Sequence, residues 1–468
     1  MVAPIAVIGG GLAGISAALE LARAGRRVTL FERGDRLGGR VRSHRQGTQE
    51  FDNAQHVLLG NCDALLALLD TLGLSGEDTA LQTRARVPVI DGRGRIGWLG
   101  ERGIGRGRAA GLWGLARYAL LSPRERASVV ASLLRLDSEV RRAAGDSPWV
   151  TAPSRRSLGN GWAAGHLDQG TFADWLSRHA QGPRARRYFW DLLVTPTLNA
   201  PAEAVSTAAA AFVLRSALMT EARALRVGWP RRPLTPWLDP AARRALERHG
   251  VALRLSSPVD RIQLSESGQV EAVEVGHRRE AVTAAVLALP HGRVARLLPK
   301  ALAASPPFDV FPTLGTAAIV GVHLCYDRPV GAPAILAAPD SEAEWIFNTG
   351  RNHGARGESS LSVALSYAQH WLELRNEEIL ARIGRAIGQV LPRALAARQI
   401  GGAVFREPRA TFVPGVGVAG LRPGPSTPVP GLVLAGAWTN TGGWPSTMEG
   451  AVRSGAQAAT ALLAPPRS

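Results

Sequence analysis

An α/β fold is predicted by three observations on this 468-residue chain. Residues 5–8 form a short apolar run, a glycine turn follows, and residues 12–23 carry apolar side chains at helical spacing. Gly25 closes that helix, and residues 27–32 read as a second strand ending in an acid. Far downstream, residues 432–435 form another apolar strand and residues 446–463 a closing helix. Between these ends, residues 84–219 are mostly helical in pattern, with breaks around 147–160 and at Pro196 and Pro201. Residues 253–264, 270–275, 281–289 and 316–326 alternate like strands, a helix is expected at about 373–390, and the proline- and glycine-rich 411–430 reads as a loop. The two ends thus belong to one discontinuous domain, residues 1–83, 251–300 and 405–468, interrupted by an α+β lobe of residues 84–250 and 301–404 expected to bind substrate.

Composition narrows the classes. Apolar residues make up 46% and charged residues 20%, which suits a packed globular chain and excludes a disordered one. The net charge of +17 is carried almost wholly by arginine and fits an anionic cofactor, an anionic membrane surface or nucleic acid; high-GC coding explains it equally well. No nucleic-acid-binding signature accompanies the charge, so nucleic acid is not expected. Cys62 and Cys325 lie far apart and form no metal-spaced pair, so neither a disulfide framework nor a metal is expected. No apolar run reaches the ~18 residues of a membrane span, and the expected setting is cytoplasmic. Residues 102–126 interleave arginines with Leu112, Trp113, Leu115, Tyr118, Leu120 and Leu121, a pattern that suits peripheral contact with the cytoplasmic membrane face or an arginine-rich surface helix.

Gly9, Gly11 and Gly14 make the spacing G-x-G-x-x-G between strand and helix. The first allows the tight turn, the second lets backbone amides approach a pyrophosphate, and the third brings helix and strand close. Glu32, at the end of the second strand, is placed to take the hydroxyls of an adenosine ribose. Gly415, Gly417 and Gly420 repeat the spacing in a proline-rich stretch with no helix behind it, a chance match. Six residues past Glu32 comes Gly38-Gly39-Arg40, a second glycine step whose arginine can pair with phosphate. That step is typical of FAD-binding Rossmann-like domains of the glutathione-reductase and amine-oxidase type, and FAD is the expected cofactor. Its contacts are expected from Gly9, Gly11, Leu12, Ala13, Gly14, Glu32 and Arg33; from Gly38, Gly39 and Arg40; from Val259; and from Gly436, Ala437, Thr447, Met448 and Glu449 at the far end, where the last helix can aim its N-terminal amides at the flavin.

Three stretches carry a resemblance: D-N-A-Q-H-V-L-L-G at 52–60, P-T-L-N-A-P at 196–201, and G-A-W-T-N-T-G-G-W-P-S-T-M-E-G-A-V-R-S-G at 436–455. Through them the chain resembles, over nearly its whole length, the squalene-associated FAD-dependent desaturase family, hydroxysqualene dehydroxylases of hopanoid biosynthesis related to carotenoid desaturases and amine oxidases. Ala54 stands where that family usually has glycine, and Ala437 where it usually has an acid. The resemblance implies an isoprenoid substrate, hydroxysqualene, reduced to squalene with hydride from reduced FAD; the donor that recharges the flavin is unspecified.

Such a reaction needs an apolar cavity, little water and one proton donor. Trp113, Leu115, Leu120, Phe172, Trp175, Phe212, Leu214 and Leu218 are candidates for the cavity wall or for ordinary core. Asp52, Gln55 and His56 are the catalytic candidates, with His56 as proton donor and Asp52 orienting it; the alternative for His56 is a packing role. Three other functions share these motifs: a carotenoid or phytoene desaturase, a flavin amine oxidase, and a non-catalytic isoprenoid-binding flavoprotein.

Overall fold

The computed structural model describes residues 3–47, 49–100, 113–144, 165–220, 223–354 and 359–465. A five-stranded parallel sheet is assembled from both ends and the middle of the chain. At its centre is β1 (Ile5–Ile8), all four residues buried, with β2 (Val28–Phe31) on one side and Ala284–Leu287 on the other. Ala252–Arg254 extends the sheet beyond β2, and Leu432–Leu434 beyond Ala284–Leu287. β1, β2, Ala284–Leu287 and Leu432–Leu434 are buried on both faces and read as short apolar runs, whereas the edge strand Ala252–Arg254 is largely exposed. Helix α1 (Leu12–Arg23) buries Leu12, Ile15, Leu19 and Leu21, and the closing helix Met448–Leu463 packs along it.

A second, seven-stranded sheet runs in the order Gln399–Phe412, Thr316–Tyr326, Ser359–Ser366, Trp345–Asn348, Ile335–Ala337, Arg86–Ile90, Ile96–Gly100. Its last two strands fall in the stretch expected to be mostly helical. There V-P-V-I and I-G-W-L flank an Asp91–Gly94 turn closed by the Asp91 amide on the Arg95 carbonyl (3.0 Å), and hairpin pairing overrides the helical texture around it. Pro196 does not break its segment either: it sits in the last turn of Asp191–Leu198, which ends at Asn199 with φ 51°. The stretch 253–264 divides between the parallel sheet and a three-stranded antiparallel sheet starting at Val259. Gln399–Phe412 pairs along Thr316–Tyr326 on both sides of residue 404, so a division at 404/405 runs through a strand. Leu234–Arg248 packs on α1 and feeds Ala252–Arg254, which ties residues just before 250 to the parallel sheet.

Helices Pro123–Ala144, Phe172–Arg178, Asp191–Leu198 and Thr207–Leu218 make the helical part of the second lobe. No helix among the described residues is long and apolar enough to cross a membrane. Of the 102–126 stretch, residues 102–112 lie outside the described residues. In the remainder, Leu115, Tyr118, Leu120 and Leu121 are buried, and only Trp113 among the named apolar side chains is exposed, beneath the Arg117 guanidinium at 4.8 Å. These side chains turn into the core because they complete the helical lobe, so the described part offers no broad apolar face to a bilayer.

Candidate active site

Two glycine turns meet at the carboxyl end of β1, the position at which open parallel sheets bind ligands. Gly38 donates its amide to the Gly10 carbonyl at 2.8 Å, and Gly11 and Gly38 form an isolated parallel bridge. A Cβ on Gly39 would lie 3.0 Å from the Gly11 Cα, so the approach requires glycine at position 39. Gly14 faces the Gly9 carbonyl, where any Cβ would collide, and seats α1 on β1. The Glu32 carboxylate is fixed by the Gly10 amide on Oε2 and the Gly34 amide on Oε1, both at 2.8 Å. Arg40 donates to the Arg409 carbonyl at 2.8 Å.

From these turns a cavity of about 1380 Å³ runs into the second lobe. Its nucleotide end includes Gly9, Gly11, Leu12, Ala13, Glu32, Arg33, Gly38, Gly39, Arg40 and Val259. Gly436, Ala437, Thr447, Met448 and Glu449 line its middle, where Thr447 caps the helix Met448–Leu463 by accepting the Gly450 amide at 3.1 Å. The far end is apolar, with Leu115, Phe189, Leu193, Phe212, Trp345 and Phe347. The volume exceeds the ~300–1,000 Å³ of a pocket for one ligand. A glycine cradle, a carboxylate held at the strand end and helix amides at mid-length fit a long dinucleotide, leaving the apolar end for a second molecule. Leu214 and Leu218 also line the cavity, whereas Phe172 and Trp175 stack on each other in the core at 5.8 Å and Leu120 is buried away from it.

The three catalytic candidates separate. Gln55 and His56 line the cavity; Asp52 does not. Asp52 Oδ1 accepts from Ser43 Oγ and the Leu234 amide, both at 2.8 Å, and its own carbonyl faces His323 Nε2 at 2.7 Å. Asp52 therefore joins the cofactor domain to Leu234–Arg248 and does not orient His56. His56 instead places Nδ1 2.9 Å from the Ala54 carbonyl, and burial pulls its pKa below the ordinary histidine value. Neutral and donating through Nδ1, the ring leaves Nε2 unprotonated.

Burial raises the Asp52 pKa to about 6 despite its two hydrogen bonds. A folded-state value above the unfolded one adds stability at low pH that is lost as pH rises through about 6. An Asp52→Asn protein keeps an acceptor for Ser43 and Leu234 but has no proton to lose. It should gain on the parent by about 2 kcal/mol between pH 4 and pH 7, read from denaturant unfolding at the two pH values; a constant difference would mean that Asp52 does not titrate in this range.

Three residues at the site were not singled out from sequence. Asn53 Nδ2 donates to the Arg40 carbonyl at 2.9 Å and to Glu407 Oε1 at 3.2 Å, tying the second glycine turn to the strand Gln399–Phe412. Arg422, from the stretch read as a loop, reaches the carbonyls of Ala437, Trp438, Thr439 and Trp444. Glu407, which also pairs with Arg42 at 2.8 Å, had no motif around it. The position of Asn53 inside D-N-A-Q-H was the available signal; a lone arginine among prolines gave none. Glu449 was expected beside the flavin as a helix-terminus residue. It stands in the first turn of Met448–Leu463 and lines the cavity, while its carboxylate accepts from the Ala64 and Leu65 amides (3.1 and 2.7 Å) and from Arg453 Nε (2.6 Å).

The sequence profile of flavin containing amine oxidoreductases matches residues 12–463. Among curated proteins, the hydroxysqualene dehydroxylase of Rhodopseudomonas palustris is 29% identical over 99% of both chains. That of Zymomonas mobilis is 27% identical over 98% of both. The zeta-carotene desaturase of Synechocystis sp. is 24% identical over 98% of this chain and 97% of its own. Among solved structures, wild-type putrescine oxidase bound to putrescine superposes with a TM-score of 0.72 at 19% identity, covering 99% of this chain and 100% of the other. Cyclohexylamine oxidase from Brevibacterium oxydans gives 0.70 at 19% identity over 99% of each chain. At such identities the structures establish the fold.

Proposed function

Because the chain belongs to the flavin containing amine oxidoreductase family and is an FAD-dependent oxidoreductase, we propose that it converts hydroxysqualene to squalene by reductive dehydroxylation. One observation carries the reading: the cavity of about 1380 Å³ continues from the cofactor cradle into a chamber walled by apolar side chains, in a chain whose full-length relatives include hydroxysqualene dehydroxylases. The C–O bond breaks as a proton joins the leaving oxygen, and water departs. FAD held by the two glycine turns and Glu32 would, when reduced, supply hydride to the carbon that loses the hydroxyl. Leu193, Phe212 and Phe347 keep water from the carbocation formed in between. Contact with a membrane, from which so insoluble a substrate would be drawn, is part of the same proposal.

The decisive experiment reduces the bound flavin anaerobically, adds hydroxysqualene and follows flavin reoxidation together with squalene. Reoxidation without squalene, or none, sinks the proposal. The zeta-carotene desaturase relative supports an oxidative second reading, recognised by polyene formation with an added electron acceptor.

His56 is the proposed proton donor, now in a form that can be tested by pH. Its protonated fraction grows only below the ordinary histidine value, since burial lowers its pKa. Flavin reoxidation by hydroxysqualene should therefore accelerate as pH falls below about 6.5. His56→Ala should slow it on the order of 10²-fold and His56→Gln should abolish the acid limb. A Gln variant that retains that limb assigns the proton to another group.

A further inference from the structure

We infer that Arg422 is a positioning residue for the cofactor, holding the flavin-facing loop by its main-chain oxygens and favouring the reduced, more negative form of the bound flavin through its unpaired charge. The inference depends on FAD alone and not on which substrate is reduced. Arg422 is 8% exposed. Its guanidinium reaches the carbonyls of Ala437 (3.2 Å), Trp438 (3.2 Å), Thr439 and Trp444 (2.9 Å), and Thr441 Oγ1 at 3.4 Å. The Phe412 ring lies 4.8 Å from its Cζ. Ala437, Trp438 and Trp444 line the cofactor cavity, so one planar group with five N–H donors sets the course of the loop that forms the cavity wall.

No carboxylate pairs with this cation among the described residues. Burial lowers its pKa to about 9, which leaves it charged at neutral pH. Position 437 carries a methyl group, and the Glu449 carboxylate is taken by Arg453 and two helix amides. Held by neutral oxygens and no anion, the guanidinium keeps its whole charge available to a negative group bound beside the loop. Two-electron reduction adds negative charge to a flavin that loses it again on oxidation, and a fixed positive charge behind the cavity wall stabilises the reduced form selectively.

The test is a spectroelectrochemical titration of the FAD-loaded protein, with FAD affinity measured by fluorescence. Arg422→Gln should lower the preference for reduced over oxidised FAD about tenfold, a fall of roughly 30 mV for a two-electron couple. Arg422→Lys keeps the charge but cannot span five acceptors, so it should bind FAD about tenfold more weakly at a midpoint near the parent's. Ala437→Asp, which leaves Arg422 in place and adds a carboxylate to the same loop, should lower the midpoint as well. Should the Gln protein fail to fold, the Lys and Asp variants decide. An unchanged midpoint in Ala437→Asp, or one lowered equally in Arg422→Lys and Arg422→Gln, overturns the charge role; unchanged FAD affinity in Arg422→Lys overturns the positioning role.

Discussion

Purified Gly11→Val protein should be folded and colourless. Gly11 has φ −76° and ψ 178°, which any L-residue adopts, and a Cβ there would meet nothing nearer than the Gly39 Cα at 3.9 Å. The backbone therefore accepts a side chain. The space it fills is the gap between the two glycine turns through which a pyrophosphate must pass. Losing two charge-assisted contacts of about 1.5–3 kcal/mol each should weaken FAD binding on the order of 10²-fold or more. Far-ultraviolet circular dichroism should match the parent while the visible flavin absorbance disappears. Stoichiometric FAD in a folded Gly11→Val protein would place the cofactor elsewhere. Gly14 offers the contrast, because a Cβ there collides with the Gly9 carbonyl and should cost the fold itself.

Removing the Glu449 carboxylate should cost several kcal/mol of stability. Glu449 is 0% exposed and Arg453 7%. Glu449→Ala would leave the Arg453 guanidinium buried without its anion, and the Ala64 and Leu65 amides without an acceptor. Breaking one side of a buried pair costs about 3–5 kcal/mol, and the midpoint of urea unfolding should fall accordingly. Glu449→Gln keeps acceptors for the amides and should lose less. Equal stability of the Ala variant and the parent would show that the pair is solvated in solution.

Much of the cofactor half was legible because its physics is local. The turn at Gly9–Gly14 and the acid at Glu32 are fixed by neighbours within one βαβ unit, and the structure joins them at 2.8 Å through the Gly10 amide. Gly38–Arg40 was legible for the same reason. The seven-stranded sheet was not. Arg86–Ile90 meets Ile335–Ala337 across about half the chain, and no local pattern announces a partner so distant. Asp52 was misjudged because proximity in sequence to His56 suggested an interaction, whereas the strand Gln49–Asp52 delivers its carboxyl to Ser43 and Leu234 on the other side of the backbone. Arg422 escaped notice since its role depends on backbone carbonyls, which carry no residue code.

The packing of α1 on the closing helix has a consequence for synthesis. Ser16 Oγ donates to the Val452 carbonyl at 2.8 Å across 436 residues, and a Cβ on Gly455 would strike the Ala13 carbonyl, so the two helices touch backbone to backbone. The ribosome releases the first of these helices 436 residues before it reaches the second. At roughly 5–20 residues per second, the apolar face of α1 waits on the order of half a minute for its partner. Ile15 and Leu19, both buried in the finished protein, stay open to solvent or to a chaperone throughout that interval. A complete cradle requires both residues 9–40 and residues 436–449, so flavin acquisition waits for the second of these segments.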